Sequence, residues 1–264
     1  METGLAARLT RISTQERYLI VPMDHGITLG PVKGLVELES TVDAITANGA
    51  DAVLTQRGVA DRVHPNKNGK GYIVHLNGST VIGPDSNDKR QTSTVEAALR
   101  AGADAVSFHL NVGSNYEPEQ LEALSDVIET AHTYGIPVLA MSYARGSGID
   151  EHDSESLAHA VRIAEELGAD VVKTAYAGDP ESFERVCKAT VLPVVIAGGS
   201  RGADRQTIKM VRGAMDAGAA GVSMGRSIFQ HDEPAAITRA VSAVIHDNAT
   251  VEAAFEAAEF GIEV

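Results

Sequence analysis

Short runs rich in Val, Ile and Ala punctuate this chain, and between them lie longer stretches whose apolar residues return every three or four positions. The first pattern belongs to strands buried on both faces, the second to helices with one buried stripe. Eight runs predict strands: Tyr18–Met23, Ala52–Thr55, Tyr72–Leu76, Ala105–His109, Pro137–Met141, Asp170–Lys173, Pro193–Ala197 and Gly221–Met224. Segments such as LEALSDVIETAHTYG and SLAHAVRIAEELG predict helices between them. Strands and helices that alternate in this way fold as parallel βαβ units. Four helix ends repeat one phrase, ANGADAV, RAGADAV, ELGADVV and DAGAAGV. In each, Gly accepts the left-handed turn that ends a helix, and Asp or Ala opens the next strand with little bulk. With eight strands and no GxGxxG after the first, the expected fold is α/β, a (β/α)8 TIM barrel formed by residues 1–264 as a single domain. Two polar stretches rich in Gly and Asn, Gln56–Gly71 and Asn77–Thr92, read as long loops on the carboxyl face. Helical segments over 234–260 are expected to close the barrel and to offer oligomer contacts.

Composition narrows what fills this frame. Apolar residues make up 44% of the chain and aromatics only 4%, with no Trp, so the core must be built from small and branched side chains. The formal net charge is −14, from 36 acidic and 22 basic residues. That charge excludes broad attraction to nucleic acid or to an anionic membrane, and an anionic substrate requires a locally positive pocket. Seven lysines against fifteen arginines, in so acidic a chain, suit a salt-rich cytoplasm. Cys187 is the only cysteine, so no intrachain disulfide forms. The opening METGLAARLTRISTQ lacks the apolar core of a signal peptide, and no stretch approaches the roughly 20 apolar residues of a membrane span. The expected location is cytoplasmic.

Barrel enzymes place their chemistry at the carboxyl ends of the strands. Those ends carry Asp24 with His25, His75, His109, Tyr143 with Arg145, Lys173, Gly198 with Gly199, and Gly225 with Arg226. A lysine at the mouth of a barrel loses hydration, which favours the neutral amine that attacks a carbonyl; the plainer alternative for Lys173 is a side chain that reaches solvent or pairs with an acid. Asp24 suits general acid–base work or the orientation of substrate hydroxyls, against a simple turn cap. Tyr143 can donate the proton a carbinolamine needs to lose water, against an amphipathic place in the core. The last two strands end in VVIAGGS and GVSMGRS, where backbone N–H groups near Gly198, Gly199, Gly225 and Arg226 can converge on one phosphate. His25, His75 and His109 raise the alternative of zinc, but their spacing matches no closed metal motif, and no metal is expected. His231-Asp232-Glu233 reads as the start of a helix.

The segments VPMDHGITLGPVKGL, IVHLNGST, VEAALRAGADAVSFHLNVGS, SYARG, ELGADVVKTAYAGD, AGG and MGRSIFQHD resemble, in order and over most of the chain, the archaeal-type class I aldolases of the fructose-bisphosphate aldolase superfamily. The resemblance implies a Schiff-base lysine at Lys173, a proton donor at Tyr143 and a proton acceptor at Asp24. It implies substrate contacts at His25, Gly26, Ile27, Thr28, Ala144, Arg145, Gly198, Gly199, Gly225 and Arg226, and chemistry without a metal or organic cofactor. VPMDHG, with Thr28 where the fructose-bisphosphate branch carries an acid, resembles the branch that passes three carbons from a phosphorylated keto sugar, 6-deoxy-5-ketofructose 1-phosphate, to L-aspartate 4-semialdehyde. That branch lies on a route to 3-dehydroquinate and the aromatic amino acids. Relatives often read YPRG and AGGPK where this chain has Tyr143-Ala144-Arg145-Gly146 and Gly198-Gly199-Ser200-Arg201. The resemblance further implies a homo-oligomer of ring type, such as a decamer.

Overall fold

The computed structural model of the protein describes residues 3–199 and 201–258; Ser200 of the expected substrate loop and residues 259 and 260 of the expected terminal helices lie outside these. Eight parallel strands close into a barrel: β1 (Tyr18–Pro22), β2 (Ala52–Gln56), β3 (Gly71–His75), β4 (Ala105–Val112), β5 (Val138–Ala144), β6 (Val171–Thr174), β7 (Val194–Ala197) and β8 (Gly221–Ser223). β8 pairs back onto β1 through Tyr18 opposite Gly221. Each predicted run holds one strand. β4 shows how the pattern sets the two faces, because side chains alternate across a strand. Val106, Phe108 and Leu110 are fully buried toward the helices, whereas Ser107, His109 and Asn111 turn into the barrel.

Around the strands run α1 (Thr3–Leu9), α2 (Gly26–Leu29), α3 (Leu38–Thr46), α4 (Ala60–Val63), α5 (Val95–Arg100), α6 (Glu117–Thr133), α7 (Ser154–Glu166), α8 (Pro180–Lys188), α9 (Asp204–Asp216), α10 (Arg226–Phe229), α11 (Pro234–His246) and α12 (Val251–Ala258). Side-chain caps begin several of them. Asp153 accepts from Ser156 N at the start of α7, and Asp179 does the same for Ser182 N at α8, where Pro180 occupies the first turn. No helix among the described residues is long and apolar enough to cross a membrane.

The stretch Gln56–Gly71 is not the loop expected from its composition. It forms the whole β2-to-β3 crossover, with α4 as a single turn between two 3-10 turns, Arg57–Val59 and His64–Asn66. A four-residue helix is too short to show periodicity, so the sequence hides it. The second stretch is a loop pinned by a small antiparallel ribbon, Asn77–Gly78 against Arg90–Gln91. His231 accepts from Glu233 N just ahead of α11, as a helix-start feature should.

The four repeated joints end their helices on glycines at positive φ: Gly49 at 112°, Gly102 at 77°, Gly168 at 93° and Gly218 at 97°. The aspartates that follow do more than open a strand. Asp51 accepts from Leu19 N (2.7 Å), Asp104 from Tyr72 N (2.9 Å) and Asp170 from Val138 N (2.8 Å). In every case the carboxylate reaches back 32 residues, to an amide near the start of the preceding strand. Each carboxylate has a second partner: His246 for Asp51 (3.2 Å), Arg11 for Asp104, and His132 for Asp170 (3.1 Å). Three carboxylates thereby tie adjacent strands together at the amino end of the barrel.

Candidate active site

At the carboxyl ends of the strands opens a cavity of about 970 Å³. All but two of the expected site residues line it: Asp24, His25, Ile27, Thr28, Tyr143, Arg145, Lys173, Gly198, Gly199, Gly225 and Arg226. Gly26 and Ala144 do not. Ala144 follows the inward-facing Tyr143, so strand alternation turns its methyl toward the helices, where it is buried. Gly26 begins α2 and has no side chain to present.

Register explains how the central residues meet. Lys173 on β6 lies level with Met141 on β5, and Tyr143, two residues further on, shares the same inward face one step nearer the mouth. Both are buried, Lys173 at 7% exposure and Tyr143 at 7%. The Tyr143 ring is held between the His109 ring (centroids 5.0 Å apart) and the Arg145 guanidinium (4.5 Å from its centroid). Arg145 is in turn fixed by Glu151 at 3.1 Å. Asp24 sits past the end of β1, with His25 Nδ1 3.5 Å from one carboxylate oxygen and His75 Nε2 3.8 Å from the other.

Burial pushes the Asp24 carboxyl up, but the neighbouring positive charge of His75, His25 and Lys173 outweighs it and holds the group below its ordinary value. The two imidazoles are themselves disfavoured as cations. Burial lowers His75 to about 4 and lowers His25 as well, against the pull of Asp24. His109, buried and facing Lys89 and Arg145, is lowered well below 6.5. Its Nε2–H donates to Asn111 Oδ1 (2.7 Å). Among the described residues no group of three His, Cys, Asp or Glu side chains is arranged to hold a metal ion.

The corner formed by β7 and β8 is shaped around glycine. A Cβ on Gly225 would lie 2.5 Å from Pro22 O and 2.7 Å from His25 Cε1, and one on Gly198 would lie 2.8 Å from Met224 Cε. Ser227 donates to Gly198 O (3.1 Å) and joins the two loops. Arg226 Nε is buried there without a hydrogen-bond partner among the described residues, a donor left for an anion.

Sequence reasoning missed part of the wall. Lys89, half-buried in the loop after β3, donates to Ser79 Oγ (2.8 Å), and its ammonium forms no ion pair among the described residues. Tyr176 and His152 also line the cavity, with His152 Nδ1 2.8 Å from Tyr176 O. Lys89 was detectable in principle as one of only seven lysines in the chain, lying in a loop after a strand end. Its inward direction depends on the Asn77–Gly78 ribbon, which has no sequence signature.

A closed barrel with a buried lysine near the end of the sixth strand beside a carboxylate and a tyrosine is the arrangement of a Schiff-base-forming aldolase. The profile of the DeoC/LacD aldolase family matches residues 18–231, and the chain belongs to that family. It is 64% identical to 2-amino-3,7-dideoxy-D-threo-hept-6-ulosonate synthase of Halobacterium salinarum, over 96% of each chain. To the class 1 fructose-bisphosphate aldolase of Halobacterium salinarum it is 35% identical, covering 92% of this chain and 95% of that one. The crystal structure of an archaeal fructose 1,6-bisphosphate aldolase superposes with a TM-score of 0.86 at 30% identity, covering 92% of this chain and 99% of the other.

Proposed function

We propose that the chain is a 2-amino-3,7-dideoxy-D-threo-hept-6-ulosonate synthase that works through an imine on Lys173. The observation that carries the chemistry is the buried Lys173 amine in one cavity with Asp24 and Tyr143. What favours this branch over its neighbour is similarity: 64% identity to the synthase of Halobacterium salinarum against 35% to its class 1 fructose-bisphosphate aldolase.

In this reading Lys173 adds to a ketone of 6-deoxy-5-ketofructose 1-phosphate, and Tyr143 supplies the proton with which the carbinolamine hydroxyl leaves as water. The iminium withdraws electrons as the adjacent carbon–carbon bond breaks. Asp24 takes the proton of the hydroxyl that becomes the carbonyl of the departing hydroxypyruvaldehyde phosphate. The enamine left on Lys173 adds to the aldehyde of L-aspartate 4-semialdehyde, and Asp24 returns the proton to the new alkoxide. Hydrolysis of the imine frees the product and the lysine. Gly198, Gly199, Gly225 and Arg226 contribute the phosphate contacts, and neither a metal nor an organic cofactor enters the scheme. The product would feed 3-dehydroquinate and aromatic amino acid synthesis in the cytoplasm, from a ring-shaped homo-oligomer.

Borohydride added with the keto sugar should leave a reduced adduct that mass spectrometry places on Lys173, and Lys173→Met should lose both adduct and turnover. Turnover that survives in Lys173→Met defeats the imine scheme. Formation of the amino sugar only when aspartate semialdehyde is present supports the synthase, whereas efficient cleavage of fructose 1,6-bisphosphate assigns the chain to the aldolase branch. Sugar-phosphate binding with no imine at any pH would make it a non-catalytic phosphosugar-binding barrel.

A further inference from the structure

His75 and Ser107 have no part in the scheme above; His75, 3% exposed, lines the cavity, and Ser107 lies fully enclosed behind it. They are register partners on β3 and β4, so both side chains point inward at the same height. His75 Nδ1 and Ser107 Oγ are 2.7 Å apart. Which atom carries the proton follows from counting donors. A serine hydroxyl has one hydrogen, and this one has no other side-chain partner among the described residues. If Nδ1 carried the proton, the hydroxyl hydrogen would be left buried and unpaired, which is costly. The hydroxyl therefore donates to Nδ1, and the single ring proton of the neutral imidazole is fixed on Nε2. That nitrogen faces Asp24 Oδ2 at 3.8 Å, and catalytic hydrogen bonds that are long in an unliganded site commonly tighten in the substrate complex.

The geometry points to His75 as a positioning residue: with its tautomer fixed by Ser107, it presents an Nε2–H to Asp24 and keeps that carboxylate aimed and ready to accept the substrate hydroxyl proton. The inference rests on the imine reading of the site, in which Asp24 is the proton acceptor. His75 stays neutral throughout, consistent with a pKa that burial holds near 4, and no proton passes through it. The other charged or titratable groups around Asp24 are His25 beside it, Lys173 from β6, and Lys89 from the loop after β3. All of these can remain unchanged while the Ser107–His75 pair is altered.

The test uses the full chain carrying Ser107→Ala, a small change that leaves the imidazole in place but frees its tautomer, and His75→Leu, which removes the donor. His75→Gln, whose side-chain amide can still offer an N–H, serves as the conservative variant. Ser107→Ala and His75→Leu should lower kcat about tenfold or more with little change in the KM of the keto sugar. They should also move the acid limb of the kcat profile upward by about one unit, because in the substrate complex Asp24 loses a hydrogen bond that favours its charged form. His75→Gln should recover most of both effects. Borohydride trapping on Lys173 at saturating keto sugar should persist in Ser107→Ala, which separates a positioning loss from a collapsed site. An acid limb that stays in place in Ser107→Ala and His75→Leu, while the adduct still forms, overturns the positioning role and leaves the imine reading standing. Absence of the adduct in the unaltered enzyme fails that reading itself.

Discussion

At neutral pH the floor of the cavity holds uncharged imidazoles, and that has a price visible in stability. The unfolded chain takes up a proton at each histidine near pH 6.5, whereas the folded chain withholds protonation of His75 until about pH 4. His25 and His109 shift in the same direction for the same reason, burial. Stability from these groups is fully present above pH 6.5 and is lost as the pH falls below it, for His75 down to about 4. The slope should be about 1.4 kcal/mol per pH unit for each imidazole that remains buried and neutral. Denaturant midpoints at pH 7.5, 6.0 and 4.5 measure it, and a flat series would show the imidazoles to be solvated. A second expectation concerns Lys89. A half-buried cation facing the cavity, with Ser79 as its only hydrogen-bond partner among the described residues, should assist any anionic substrate, so Lys89→Gln should raise the KM of the phosphorylated keto sugar about tenfold. An unchanged KM would place the substrate's charge wholly at the Gly225–Arg226 corner.

Among the elements, the eight strands were legible because each is a short apolar run ended by a polar side chain, and because four helices stop on a glycine that the structure places at positive φ. Tyr143 and Lys173 were legible for the same reason, as polar residues closing such runs. The small helix α4 was not, since one turn carries no periodicity. Nor was the service of Asp51, Asp104 and Asp170, because an acid after Gly-Ala looks like any solvated turn until the neighbouring strand is brought against it. His75 and Ser107 were each visible as polar inward positions, but their partnership needs the β3–β4 register. The strand ties lead to a measurable expectation. Asp51→Ala should destabilise the fold by about 1–3 kcal/mol, since it leaves the Leu19 amide buried and unpaired, with imine formation on Lys173 unaffected in the fraction that folds. An unaltered denaturation midpoint would mean that water replaces the carboxylate.

For the molecule as a whole, a net charge of −14 on 264 residues sets up self-repulsion in the folded state that added salt screens. The melting temperature should therefore rise between about 0.1 and 1 M potassium chloride, over which the screening length falls from about 10 to 3 Å. A fall over that range would remove the case for a saline setting. The three carboxylate ties and the catalytic cavity occupy opposite ends of the barrel, and no residue serves both. Assembly and selectivity can thus diverge independently: loops at one rim are free to be rewritten for a different acceptor while the stitching at the other rim goes on specifying the same cylinder.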